Sequence, residues 1–399
     1  MNISHLKGCA LFSCAAVALL TACGGSPPIG TPSTMQSRAT QARPTHVTFY
    51  KVLHSFKAAG SDGAHPQAGL TNLDGTLYGT TSSGGRHGDG VIFRIATSGN
   101  EGIVYDFRGE PRDGASPWSS LTNVAGTLSG TTLRGGSHDD GSVYSITTSG
   151  EEKLLHSFGG SGDGRLPYGG VANANGKLYG TTQIGGTSNL GTVYVVAKSG
   201  KETVLHSFTG PPDGEDAYAP LLNVKGTFFG TTAGGGESGN GIVYSITPSG
   251  AEMILFNFSS GGDWEPYGGL IYYDGALYGT TVDGGQYSRG TIFSSTPSGT
   301  ESIIYNFGGT TGDGQDPWAA PIAIAGTFYG TTYQGGASGY GTLYAMTSSG
   351  QETILHNFGS STGDGKNPRG SLIEVKGVLY GTTVRGGAHA RGTVFSITL

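Results

Sequence analysis

Leu178-Tyr179-Gly180-Thr181-Thr182 runs into Gly185-Gly186, then Gly191-Thr192-Val193-Tyr194, a Ser199-Gly200 pair and Leu205-His206-Ser207-Phe208. This stretch decides the fold because it recurs. Gly-Thr-Thr begins at Gly79, Gly130, Gly180, Gly230, Gly279, Gly330 and Gly381, in steps of 51, 50, 50, 49, 51 and 51 residues. A fixed period of that length marks a repeat architecture. Each unit holds four short runs rich in aliphatic, aromatic and β-branched residues; in the second unit strands are predicted at 121–124, 127–132, 142–146 and 153–158. Asp74-Gly75, Asn175-Gly176 and Asp274-Gly275 supply the left-handed backbone that two-residue hairpins need. Ser-Gly pairs starting at Ser98, Ser149, Ser199, Ser249, Ser298 and Ser349 close a second hairpin in the first six units. No window sustains a 3.6-residue period, and 75 glycines are too many for a helical chain.

Four strands about every 50 residues is kelch-like spacing, which predicts an all-β fold, a seven-bladed β-propeller of four-stranded blades. The two ends of the array choose a closed ring over an open solenoid. The seventh unit stops at Phe395-Ser396-Ile397, one strand short, while an orphan run from Lys51 to Phe56 precedes the first unit. A solenoid would instead carry polar caps. The last blade is therefore expected to be closed by the N-terminal strand, with 51–56 paired to 393–397.

From residue 49 to 399 the chain resembles the GloVer tandem-repeat proteins, bacterial exported proteins whose repeats carry the signature seen at Leu178 to Gly186. The signature returns seven times, with local lapses such as Ser129 where tyrosine is usual. The resemblance implies a choice-of-anchor protein, whose relatives differ in how they attach to the cell. It brings no assigned activity and no catalytic residues.

Residues 1–22 read as a lipoprotein signal peptide: Lys7, an apolar run from Cys9 to Leu20 broken by Ser13, then Leu20-Thr21-Ala22-Cys23. The run is too short to cross a bilayer as a helix. Leu-Thr-Ala-Cys resembles the bacterial lipobox, which makes Cys23 the expected lipid attachment site. Gly24, rather than Asp, after the cysteine implies transfer to the outer membrane. Residues 23–46 then form a flexible Gly/Ser/Thr/Pro tether and 47–399 the propeller. The expected location is the bacterial cell envelope, with the membrane as partner through the N-terminal lipid. Cys9 and Cys14 leave with the signal, so the folded part has no disulfide, no cysteine nucleophile and no thiolate metal site. With 22 basic against 28 acidic residues and no basic stripe, nucleic acid is not an expected partner.

In a four-stranded blade, the loop between blades and the loop between the second and third strands emerge on one face. The inter-strand loop keeps the frame Gly-Gly, four residues, Gly in all seven units, while its tips (86–89, 137–140, 187–190, 237–240, 286–289, 337–340 and 388–391) differ. A constant frame with changing tips suits a binding surface. The inter-blade loop carries Asp62, Asp113, Asp163, Asp213, Asp263, Asp313 and Asp364, expected to close turns by bonding local amides. Calcium is the sharper alternative, but Asp213 with Asp216, or Asp313 with Asp316, would supply only part of the six to eight oxygens it takes. After the loop proline, or its equivalent, come Gln67, Trp118, Tyr168, Tyr218, Tyr267, Trp318 and Arg369. The five aromatic members are the candidate ligand-binding residues, placed to ring the mouth of the channel and to hold a glycan or protein ligand on the loop face. The competing assignment is a wedge of core between blades.

Histidine raises the question of metal. His54, His156, His206 and His356 share their position with Tyr105, Phe256 and Tyr305, which marks a packing slot, and no metal is assigned to it. His87, His138 and His389 lack the paired spacing of a zinc site. No cofactor is implied: a copper-radical oxidase needs a cysteine cross-linked to tyrosine, and the aspartate boxes of a sialidase are missing. The expected function is a binding or scaffold module without catalysis. The alternative is a polysaccharide hydrolase or lyase using loop carboxylates such as Asp89, Glu237 or Asp283. Two acids about 5 to 10 Å apart in a loop-face pocket would favour the enzyme.

Overall fold

The computed structural model describes residues 49–57, 60–259 and 263–399; the signal sequence, Cys23 and the tether lie outside the described residues. Every regular element in them is a β-strand. The second blade shows the unit: Thr122–Val124, Thr127–Thr132, Ser142–Ile146 and Glu152–Ser157, antiparallel in chain order from the innermost strand outward. Six blades are built this way. The seventh has Ile373–Val375, Val378–Gly386 and Thr393–Thr398 from the C-terminus, and Tyr50–Ser55 as its outermost strand. The register runs from Tyr50 opposite Ile397 to Ser55 opposite Thr393, with a bulge between Val52 and His54. The outer strands of other blades carry the same irregularity, opposite Val143 and Tyr144 and again opposite Val193 and Tyr194. The N-terminal strand thus fills the vacant place with the geometry of a native fourth strand, and the ring is closed as expected.

The Gly-Thr-Thr motif has a separate physical task for each residue. Gly130 faces Tyr144 of the third strand, and a Cβ there would sit 2.6 Å from the phenol oxygen. Only glycine lets that ring lie flat across the second strand. The first threonine ties one blade to the next: Thr131 Oγ1 donates to the Gly169 carbonyl at 3.0 Å, Thr181 to Ala219 at 2.8 Å, and Thr382 to Ala68 across the closure at 2.8 Å. The second threonine turns back on its own chain, Thr132 Oγ1 donating to the Arg134 carbonyl at 2.8 Å. The strand therefore ends there, and the double glycine that follows pairs with the inter-blade loop, Arg134–Gly135 against Gly114–Ala115.

Packing between blades repeats as faithfully. The phenylalanine that follows each outer strand is buried and meets the third-strand aromatic of the next blade, edge-on in Phe107 with Tyr144 at 5.3 Å and Phe158 with Tyr194 at 4.9 Å and tilted in Phe307 with Tyr344 at 5.4 Å. Phe56 with Phe93 (5.1 Å) and Phe358 with Phe395 (5.2 Å) continue the series through the closure. Edge-on pairs contribute about 0.5–1.5 kcal/mol beyond the area they bury. In a thiol-free domain, these contacts and the closing strand hold the ring together.

Candidate functional site

Each inter-blade loop makes a left-handed kink just before its proline or equivalent. His65, Ser116, Leu166, Asp216, Glu265, Asp316 and Asn367 all have φ between 53° and 59°. Non-glycine residues avoid this region, and such strain gathers where a chain must aim a side chain. Backbone hydrogen bonds on both sides hold the kink: Leu166 N–H donates to the Asp140 carbonyl at 3.0 Å, and Gln183 N–H donates to the Leu166 carbonyl at 3.1 Å. Two residues later, the chain delivers one side chain per blade to the channel mouth.

Those seven side chains form a continuous collar. Trp118 meets Tyr168 at 5.3 Å, Tyr168 meets Tyr218 at 4.8 Å, Tyr218 meets Tyr267 at 4.7 Å, and Tyr267 stacks on Trp318 at 4.9 Å with the planes 12° apart. Arg369 completes it. Its guanidinium carbon lies 4.1 Å from the centre of the Trp318 ring and 4.6 Å from that of Trp118, and its Nη1 donates to Gln67 Oε1 at 3.2 Å. All seven residues are half-buried. The sequence posed a choice between a mouth ring and core wedges; the five aromatics come together as a ring that keeps part of each side chain open. Sequence reasoning missed the part of Arg369 and Gln67, which meet only because closure joins residues 302 positions apart.

The collar opens onto a cavity of about 470 Å³ that reaches down to the innermost strands at Thr122, Ile271 and Ile322. Its wall is apolar and small-residue rich, and Arg369 is its one ionisable group apart from the tyrosines. Burial pulls the Arg369 guanidinium below its ordinary range, and the largest electrostatic influences on it come from phenols, Tyr333 and Tyr168 first, rather than carboxylates. Burial, then Asp216, pushes the Tyr218 phenol up to about 12. Asp89, Glu237 and Asp283 do not line the cavity; Glu237 is exposed on a loop tip and Asp283 is exposed in the short strand Asp283–Gly284.

The profile of the Gloeobacter/Verrucomicrobia repeat matches residues 21–231 and again 216–399. The chain belongs to the Gloeobacter/Verrucomicrobia repeat family. No curated protein matches its sequence. Among solved structures, puromycin hydrolase is similar with a TM-score of 0.50 and 14% identity, over 82% of this chain and 52% of that one. A variant of that enzyme in complex with PGG gives 0.49 and 12%, over 81% and 50%. A protein described as a gluconolactonase gives 0.39 and 11%, over 64% and 80%. This Gloeobacter/Verrucomicrobia repeat protein spans about half the length of puromycin hydrolase, and at these identities the likeness is one of fold.

The same repeat protein has a second recurring constellation, at the outer seams between blades. Asp163 Oδ1 accepts the Gly164 amide at 2.7 Å and its Oδ2 accepts from His156 at 3.0 Å; Asp213 does the same with Gly214 and His206. Asp113 and Asp313 take a tyrosine instead, Tyr105 at 2.9 Å and Tyr305 at 3.2 Å. The aspartates therefore do close turns, and the histidine slot is more than packing: it bonds the carboxylate as well as meeting the phenylalanine two residues on edge-to-face. A glutamate at the head of the next blade's outer strand completes the group, bringing His54, Asp62 and Glu101, His156, Asp163 and Glu202, or His206, Asp213 and Glu252 within 4.8 Å of one another. Each trio offers three donors of a kind that suits a divalent transition metal. Tyr105 and Tyr305 stand at the same place in other seams and also bond the aspartate, whereas Phe256 in the fourth blade has no polar atom to do so. Asp213 and Asp216 do not converge as a calcium pair: Asp213 is held by His206 and local amides, whereas Asp216 turns to Gln183.

Burial, and then Asp113, raises Glu152 to about 7; burial, and then Asp163, does the same to Glu202. Glu352 is held near 7 by burial and by Asp313. At the closure Tyr50 takes the glutamate's place, its ring stacked on His356 at 3.6 Å with its phenol toward Asp364.

Proposed function

We propose that this protein is a lipid-anchored module of the bacterial cell envelope that binds a glycan or protein ligand at the loop-face mouth of its channel and catalyses no reaction on it. One observation carries the reading: a half-buried collar of five aromatic side chains opens on a cavity of about 470 Å³ whose wall has no carboxylate. Sugar rings present C–H faces that pack on aromatic planes, and a concave, largely apolar site with a few polar groups is the usual form of a binding pocket. Glycoside hydrolysis needs two carboxylates flanking the scissile bond, and Asp89, Glu237 and Asp283 lie away from the cavity. The lipobox-like Leu20-Thr21-Ala22-Cys23 supports attachment through Cys23, and Gly24 supports the outer membrane.

The test is a glycan and envelope-extract binding screen with the full chain and with Trp118→Ala/Trp318→Ala. Each ring stacked on a ligand contributes roughly 1 kcal/mol, whereas truncating a fully buried Trp costs about 3 to 5 kcal/mol of stability. The double variant is expected to lose ligand while its melting point barely moves. A large loss of stability with unchanged binding would return these residues to the core. In the same cells, Cys23→Ser is expected to leave unprocessed precursor; normal cleavage would remove the anchor from the reading.

A further inference from the structure

We infer that the ligand of the collar is an acidic glycan, bound with a uronate-type carboxylate on Arg369 and its sugar rings against the exposed aromatic surface of the collar; this rests on the binding role proposed above. The observations are independent of the aromatic ring itself. Arg369 stands where five other blades place an aromatic residue, and among the described residues it forms no ion pair. One of its five N–H groups is used on Gln67 and its planar face is used on Trp118 and Trp318. The other donors lie in the plane of the fork, which is the geometry that takes a carboxylate bidentately.

Leaving a half-buried cation without a counter-ion is costly, and charged groups in such places are normally paired. The cavity wall offers no partner, since its remaining polar groups are phenols, hydroxyls, amides and backbone. Gln67 cannot neutralise the charge, but its carbonyl oxygen fixes the direction of the fork. The guanidinium covers one face of each indole and Tyr267 stacks on Trp318, so a sugar whose carboxylate reaches the fork has its ring beside the exposed aromatic surface of the collar. Neutral sugar would gain the stacking alone. An anion without a ring would gain the charge alone. An acidic sugar supplies both together.

The experiment is calorimetric titration of the full chain with an oligosaccharide of uronic acid and with its methyl ester, which keeps the rings and removes the charge. The acid is expected to bind at least about tenfold more tightly, the least that a charge-assisted hydrogen bond to a shielded cation contributes. Arg369→Gln should abolish the preference for acid over ester, whereas Trp118→Ala should weaken both and keep the preference. Arg369→Lys keeps the charge without the fork and should retain a reduced preference, so the inference stays testable if Arg369→Gln does not fold. Equal binding of acid and ester, or a preference that survives Arg369→Gln, overturns the acidic ligand and leaves the binding role standing. Failure of both forms together with every neutral glycan and envelope component overturns the binding role and this inference with it.

Discussion

Ser129 shows what one residue decides in this molecule. The other blades place Tyr78, Tyr179, Phe229, Tyr278, Tyr329 and Tyr380 there, and the ring packs against the next blade, as Tyr179 does on Phe228 at 4.1 Å. Serine leaves a groove of about 440 Å³ between the second and third blades, walled by Val124, Leu155 and Leu178 and rimmed by Lys153 and Lys198. Ser129→Tyr should fill it from a backbone already shaped for tyrosine. The expected gain is about 1.5 kcal/mol, the lower end of what burying a large side chain contributes, and denaturant unfolding would measure it. A destabilised variant would mean that the groove is narrower than a phenol and that the lapse is tolerated for another reason. At the same scale, the collar was legible as a position occupied by five aromatics. Its chemistry was not, because the meaning of Gln67 and Arg369 lies in their contact with each other.

At the scale of the element, the outer seams set the response to pH. Glu152, Glu202 and Glu352 sit near 7 in the folded protein, above the 4.5 of a free glutamate, with burial the first cause and the facing aspartate the next. A carboxyl raised in this way favours the fold while protonated, so its contribution is complete below about 4.5 and is lost as pH rises through about 7. His206, raised above 6.5 chiefly by its bond to Asp213, contributes fully below 6.5 and loses that contribution as pH rises above it. Asp62, Asp213 and Asp364 act in the opposite sense. Burial alone would raise them, but histidine and amide bonds outweigh it and hold them below 3.8, so their contribution disappears as pH falls through the acid range. The melting temperature should therefore be highest on the acid side of neutrality and decline from pH 5 to pH 8. Glu152→Gln/Glu202→Gln/Glu352→Gln should flatten that decline. A melting point unchanged across the interval would show that the seam carboxyls carry no such linkage. These seams were only half visible in the repeat: the aspartate and the histidine slot recur within one unit, but the glutamate comes from the next blade, and its role exists only once two units are packed.

For the whole molecule, closure by the first strand is the contact that every other seam relies on. The period, the hairpin turns and the matched surplus and deficit of strands were enough to foresee it, because each is a local feature repeated until it becomes a global constraint. The short ladders between inter-blade loops and double glycines were not foreseen, since Gly-rich segments carry no strand pattern of their own. A chain beginning at Ser61 would lose the strand Tyr50–Ser55 and Phe56, which is wholly buried and meets Phe93 at 5.1 Å. Removing one such phenylalanine costs about 3 to 5 kcal/mol by itself, so calorimetry should show a much lower and less cooperative transition. A shortened chain that melts with the full protein would contradict the closed ring.

The claim that the collar is a ligand site is tested most directly by its own fluorescence. The protein has three tryptophans, Trp118 and Trp318 in the collar and Trp264 exposed on a loop, so Trp264→Phe leaves a chain whose indole emission reports the collar alone. Titrated with the uronic-acid oligosaccharide, this variant is expected to give a saturable change in intensity or wavelength, moved to about tenfold higher ligand concentration by Arg369→Gln. An emission that stays flat with that ligand and with every other glycan and envelope component, in a protein that melts normally, would contradict the account.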